Sequence, residues 1–280
     1  MLHGTKLKMR MKLLHDELGV EVTGIDLSQG VPTEELERAL HQHIVVVVRA
    51  QSLSPKKYVA VMSALGTPAR QNNVDELLPG YPEIIEIDSR TAKLDKSGQR
   101  NLFGTKYWHT DHTNQQCPPK ITALYAKMLP PSGGDTCFAN AYLLYERLAA
   151  ERRTAIAVLR TVNGADRHLD IQQQDPTAFA QAAIHPLVRK HPVTGRHALY
   201  VHPLKALHIE GWGEPESLAF FEELLEEAVR PELVYRHQWR LGDLVLIDNR
   251  ACLHRAMIDY DADAGRVMHR IILEGDRPIH

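Results

Sequence analysis

From Ile121 to the end of the chain, short apolar runs recur between turn residues, and this succession limits the fold more than any other feature. Val234 to Arg240, Leu244 to Ile247 and Arg266 to Leu273 each have strand length, and Gly242-Asp243 forms a turn between the first two. Helical patterns interrupt the strands only at Ala141–Arg160 and Pro215–Val229; in the second, Leu218, Phe221, Leu225 and Ala228 mark one apolar face. Many short strands with a few covering helices predict a mainly β protein with flanking helices, a jelly-roll-like double sheet. A chain of 280 residues can bury one such core, so residues 1–280 are expected to form a single domain.

The first third alternates elements. Val20 to Ile25 alternates in polarity like a half-buried strand. Thr33 to Gln42 reads as a helix with Thr33 as its N-cap, and Ile44 to Arg49 as a buried strand. Ser54-Pro55 supplies an N-cap and a first-turn proline, Tyr58, Val59, Met62 and Leu65 recur at helical spacing, and Gly66 ends the helix. Residues 89–107 and 163–174 are polar with little periodicity; loops of that length inside a domain often act as lids.

Lys plus Arg is 33 and Asp plus Glu is 35, a net charge of -2 that gives no support for a nucleic-acid or membrane-surface partner. No apolar run reaches the roughly 18–20 residues of a membrane span. The segment Met1 to Leu14 lacks the apolar core of a secretion signal. Cys117, Cys137 and Cys252 are odd in number and widely spaced, which fits a reducing cytoplasm.

Sixteen histidines make any single one uninformative, so only constellations count. In an extended strand His109 and Asp111 point to one side of Tyr107-Trp108-His109-Thr110-Asp111. Two imidazoles and one carboxylate are the set that binds a non-haem Fe(II) on one face and leaves the other open. His254 is the candidate second imidazole, placed just past the end of the Leu244–Ile247 strand at the mouth of a barrel. Asp248 and Arg250, in the intervening turn, read equally as a salt-bridged turn. Arg266 and Arg270 share a face of the last strand; two inward arginines demand anions, and a guanidinium grips a carboxylate through two hydrogen bonds. Pro130-Pro131 with Gly133-Gly134 forms a sharp turn, and Thr136 beyond it could share that carboxylate with Arg266. A zinc hydrolase using His109, Asp111 and His254 with bound water remains an alternative, as does a non-catalytic small-molecule binding jelly roll.

Several ordered motifs resemble the taurine and 2,4-dichlorophenoxyacetate dioxygenase family of Fe(II)/2-oxoglutarate enzymes. They are Leu18 to Leu27, Trp108-His109-Thr110-Asp111, Pro130 to Thr136, His185 to Arg189, His191 to Arg196, Asp248-Asn249-Arg250 with His254, and Arg266 to Arg270. The resemblance implies a double-stranded β-helix core, with Fe(II) on His109, Asp111 and His254 and with 2-oxoglutarate and O2 as cosubstrates. It implies that Thr136 and Arg266 hold the distal carboxylate of 2-oxoglutarate, and that Arg270 meets its other end or an acidic group of the substrate. Thr105, where members often have Asn, and His112 join the candidates for substrate or cosubstrate contact. The expected activity is hydroxylation or oxidative cleavage of a small anionic substrate with release of succinate and CO2, by a homo-oligomer. Members commonly carry a Trp where this chain has Ile247, and taurine-specific members carry histidines where it has Ala69-Arg70-Gln71-Asn72-Asn73, so the resemblance does not extend to taurine itself.

Overall fold

The structure, a computed structural model, describes residues 9–71, 76–92, 100, 106–164 and 182–280. In chain order the strands begin with β1 (Arg10–Leu13), β2 (Val20–Thr23), β3 (Val45–Val48), β4 (Leu77–Leu78), β5 (Tyr81–Asp88) and β6 (Ile121–Met128). Then come β7 (Thr136–Asn140), β8 (Arg160–Asn163), β9 (Ala183–Pro186), β10 (Val188–Lys190), β11 (His197–Leu199) and β12 (Ala206–Ile209). The last four are β13 (Val234–His237), β14 (Leu244–Asp248), β15 (Cys252–Ala256) and β16 (Val267–Leu273). Helices are α1 (Thr33–His43), α2 (Pro55–Leu65), α3 (Ala141–Glu146), α4 (Ala150–Ala157) and α5 (Glu214–Ala228).

A large sheet in the order β1-β2-β3-β14-β6-β16-β5-β4 faces a small one in the order β13-β7-β15. The central strands of the large sheet are apolar on both faces because both faces are covered. Val45, Val47, Val245, Ile247 and Met268 pack into the layer shared with the small sheet. Val46, Val48, Leu244, Leu246 and Ile271 pack against Leu36, Leu40, Tyr58 and Met62 of α1 and α2. One period-2 alternation thus feeds two cores, and a jelly roll with helices outside results, as the strand pattern predicts.

Several local expectations need correction. Thr33 lies inside α1; the N-cap is Pro32, with no side-chain cap bond. Val61, not Val59, is the buried partner of Tyr58, Met62 and Leu65. The stretch predicted as one helix over 141–160 is two short helices, and Arg160 already belongs to β8. Asn140 caps the first of them through Tyr142 N and Leu143 N. On α5 the buried residues include Phe221, Leu224 and Ala228, with Leu225 only half-buried. Ser54 does cap α2, accepting from Lys57 N. Residues 89–107 contribute a short 3-10 turn at Ser89–Thr91, and most of the two candidate lid stretches lies outside the described residues. No helix among the described residues is long and apolar enough to cross a membrane.

Candidate active site

His254 sits in the middle of β15, not past a strand end as its distance from Ile247 suggests. A tight turn at Asn249–Ala251 returns the chain into the small sheet, so a new strand begins at Cys252. There His254 pairs with His109 in an isolated antiparallel bridge: His109 N donates to His254 O at 3.0 Å and His254 N to His109 O at 2.8 Å. Cross-strand neighbours share a face, and the row His109, His254, Phe138, Tyr235 runs across the small sheet on its inner side. Asp111 follows at the start of a turn, not within a strand. Its Oδ1 nevertheless lies 3.7 Å from His109 Nε2 and 3.8 Å from His254 Nε2.

Each group is oriented by a second contact. His109 Nδ1 lies 2.7 Å from the Tyr107 carbonyl oxygen, which places the proton on Nδ1 and leaves the Nε2 lone pair facing Asp111. Thr122 Oγ1 on β6 donates to Asp111 Oδ2 at 2.5 Å and accepts from Asn249 Nδ2 at 2.6 Å. Thr110, directed away from the cluster, donates through Oγ1 to Asn249 O. Asn249 is fixed by its neighbours: Arg250 grips Asp248 through Nε and NH2 at 2.8 and 2.7 Å, and His191 Nε2 lies 3.0 Å from the same carboxylate. Asp248 and Arg250 therefore form the salt-bridged turn of the bland sequence reading, fully buried, while the residue between them reaches the cluster through Thr122. Sequence reasoning missed Thr122, which carries no motif, and His202, whose ring centroid is 4.8 Å from that of His109.

The protonation states suit a Lewis acid. Burial alone raises the Asp111 carboxyl pKa, but the field of His254, Arg270 and His109 outweighs it and carries the group well below the usual carboxylate range. Burial, with the charge of His109, pushes His254 down to about 3, and burial with Arg270 pushes His112 down to about 4. His109 and His202 are lowered mainly by burial too. At neutral pH the cluster is one carboxylate and neutral imidazoles, a donor set with lone pairs to give.

A pH dependence follows. A histidine neutral when folded but protonated when unfolded gives the unfolded state more bound protons between pH 6.5 and its lowered native pKa. Stability therefore rises with pH in that window and is lost as the pH is lowered, by about 1.4 kcal/mol per pH unit for each such group. Metal-free protein is expected to lose thermal stability steeply as the pH is lowered from 6.5 to about 5, above the range in which most carboxylates titrate. A melting temperature that stays flat between pH 7 and pH 5 in chelator would refute this assignment of charge.

Arg266, just before β16, and Thr136, at the start of β7, come together as expected. Arg266 is 8% exposed, its Nε donates to Gly134 O at 2.9 Å, and its NH2 lies 3.5 Å from Thr136 Oγ1. No carboxylate lies within ion-pair distance of this buried guanidinium among the described residues. Trp239 Nε1 donates to Thr136 Oγ1 at 3.0 Å, so the threonine hydroxyl accepts from these neighbours and keeps its own proton to donate. The Gly133-Gly134 turn is needed here: both have φ near +74°, and a Cβ on Gly133 would meet the Asp259 carbonyl at 2.4 Å. That conformation turns the Gly134 carbonyl toward Arg266. Arg270 lies two residues beyond Met268 on the same inner face, with its Nε buried and without a hydrogen-bond partner among the described residues. His112 is half-buried in a left-handed conformation. Thr105 lies outside the described residues.

A jelly roll carrying two histidines and an aspartate on its inner face matches known proteins along nearly its whole length. The profile described as "Taurine catabolism dioxygenase TauD, TfdA family" covers residues 11–272. The chain belongs to that family. An alpha-ketoglutarate-dependent 2,4-dichlorophenoxyacetate dioxygenase of Cupriavidus pinatubonensis is 32% identical over 273 residues, 92% of this chain and 94% of the relative. A solved taurine dioxygenase from Burkholderia xenovorans is 34% identical with a TM-score of 0.79, covering 96% of this chain and 90% of its own. The structure of AAD-2 in complex with Mn(II) and N-oxalylglycine superposes with a TM-score of 0.81 at 26% identity, covering 98% of this chain and 100% of its own. As a member of the family the protein is an oxidoreductase, a dioxygenase using Fe(II), 2-oxoglutarate and O2.

Proposed function

We propose that this TauD/TfdA-family dioxygenase hydroxylates or oxidatively cleaves a small anionic organic substrate, with Fe(II) held by His109, Asp111 and His254. The observation that carries the reading is the convergence of these three buried side chains, whose ligand atoms all lie within 4.8 Å of one another. Bonds of about 2.0–2.2 Å to one ion span the 3.7 and 3.8 Å separations from Asp111. Two neutral imidazoles and a carboxylate suit a ferrous ion with one open face.

When bound, the ion and 2-oxoglutarate supply the oxidation itself, coupled to formation of succinate and CO2. The chain's residues do the rest. Arg266 and Thr136 offer two cationic N–H groups and a hydroxyl to the distal carboxylate of the cosubstrate, in a dry setting that strengthens those bonds. Arg270 and His112 stand beside Asp111, where the near end of the cosubstrate or the substrate's acidic group would lie; Thr105 is kept as a third such candidate on sequence grounds. Formal charge supports an anionic substrate. A ferrous ion, Asp111, a dianionic cosubstrate and the two arginines leave one positive charge over, and a monoanion neutralises it.

The family match over residues 11–272 supports one domain across the chain, and three free cysteines support a cytoplasmic setting. The relative that acts on 2,4-dichlorophenoxyacetate supports a small acid over any macromolecular partner. A homo-oligomer is kept from the family resemblance.

Protein mixed anaerobically with Fe(II) and 2-oxoglutarate is expected to show a weak visible charge-transfer band, absent with zinc. A screen of carboxylates, sulfonates and sulfate esters under air should then find acids that stimulate succinate release. Absence of the band together with absence of succinate for every acid sinks the proposal, and turnover without oxygen would favour a hydrolase.

A further inference from the structure

The residues carrying His109 join the small sheet by a single bridge. Two backbone hydrogen bonds at His109 and His254 are the whole of that pairing. The segment before it, Lys106 to Trp108, belongs to no strand. After His109 the chain is held by Thr110, whose N donates to Val201 O at 3.3 Å and whose Oγ1 donates to Asn249 O at 2.7 Å. The residue before His109, Trp108, is where a further contact would complete the hold on the two imidazoles.

The reverse face of the same bridge carries a candidate. Alternation puts the neighbours of His109 and His254 on the outer side of the sheet, and antiparallel pairing sets Trp108 beside Arg255. The Arg255 guanidinium carbon lies 4.8 Å from the Trp108 ring centroid, within cation–π range. Register extends the row to Cys137, opposite Arg255 on β7, and to Arg236, opposite Cys137 on β13. Arg236 is committed to Asp135 and Asp259, whereas Arg255 has no carboxylate within ion-pair distance among the described residues. Its Nε is buried without a hydrogen-bond partner among the described residues. The cation thus lies between the Trp108 ring and the Cys137 thiol, to which its side chain also hydrogen-bonds.

We propose that the Trp108–Arg255 stack is a positioning device for the metal centre, clamping the His109 segment to the His254 strand from behind. Arg255 touches neither metal nor substrate in this assignment; it acts through the backbone bridge. A clamp one residue from each ligand sets the distance between the two Nε2 atoms, which metal affinity reads directly. The inference rests on His109 and His254 being ligands, and the test separates the two ideas.

The experiment measures Co(II) affinity of the metal-free protein by absorbance, alongside its thermal stability, for wild type, W108F, W108L, R255K, R255M and H254A. Loss of binding in H254A checks the ligand assignment on its own. Contacts that orient metal ligands are worth about 10–100-fold in metal affinity, so R255M and W108L are expected to weaken Co(II) binding about tenfold or more. Their metal-free melting temperatures should change little. R255K and W108F, which keep a cation and a ring, should fall between wild type and the truncations. If H254A abolishes binding while R255M and W108L bind like wild type, the clamp is wrong and the ligands stand. Should the truncated variants fail to fold, the graded pair decides: R255K and W108F with wild-type affinity would also overturn it.

Discussion

His254→Ala is expected to remove succinate formation while leaving the metal-free protein folded. The imidazole is buried, held neutral down to about pH 3, and its Nδ1 has no hydrogen-bond partner among the described residues. Alanine thus deletes an unsatisfied polar atom along with some packing against Phe138, whose ring centroid is 6.4 Å away, and the two effects on stability oppose each other. The effect on the site is one-sided. Loss of a direct ligand should exceed the roughly 10–100-fold that orienting contacts are worth, so iron affinity should drop by more than about 100-fold. Iron titration with the charge-transfer band as signal, paired with a thermal melt, checks both halves. A variant that binds iron normally would remove His254 from the centre, and one that melts far below wild type would show a structural role instead.

Arg266→Met should act on the cosubstrate alone. Removing one partner of a buried, hydrogen-bonded charge pair costs about 2–5 kcal/mol, which converts to a rise in the 2-oxoglutarate requirement between about thirtyfold and a few thousandfold. Iron binding should stay near wild type because the guanidinium contacts Gly134 and Thr136 rather than any of the three proposed ligands. Without cosubstrate the variant should be about as stable as wild type: one hydrogen bond to a carbonyl is lost, but a buried cation lacking a counter-ion goes with it. Saturation curves for succinate release against 2-oxoglutarate, with iron affinity measured in parallel, test the separation. Parallel losses of iron and cosubstrate binding would show that Arg266 supports the whole site and not one carboxylate.

The residues that a reader of the sequence can name are those whose chemistry is rare at their position. An HxD pair after a tryptophan, a distant histidine and two arginines spaced by four near the C-terminus are each weak alone and become legible only as an ordered set. Three of the four strands between 234 and 273 and the helices at 55–65 and 214–228 were equally legible, because periodicity and caps are local properties; the strand at Cys252–Ala256 was not. The break after Glu146 was not either, since Arg147-Leu148-Ala149 carries no glycine or proline and stays helix-compatible in sequence.

Local pattern thus determined the chemistry and the strand succession of this protein: which atoms can bind a cation, which can bind an acid, and that a double sheet carries them. What the chain's fold alone decided is how they meet. Asp111, in a turn, gains its direction from Thr122, eleven residues later on β6 of the large sheet, and Thr122 gains its own from Asn249. His254 is in a strand because Asn249–Ala251 turns the chain back into the small sheet. Such contacts depend on sheet register between strands far apart in the chain, and register is settled by the whole apolar pattern of the two cores at once, so no window of residues contains it.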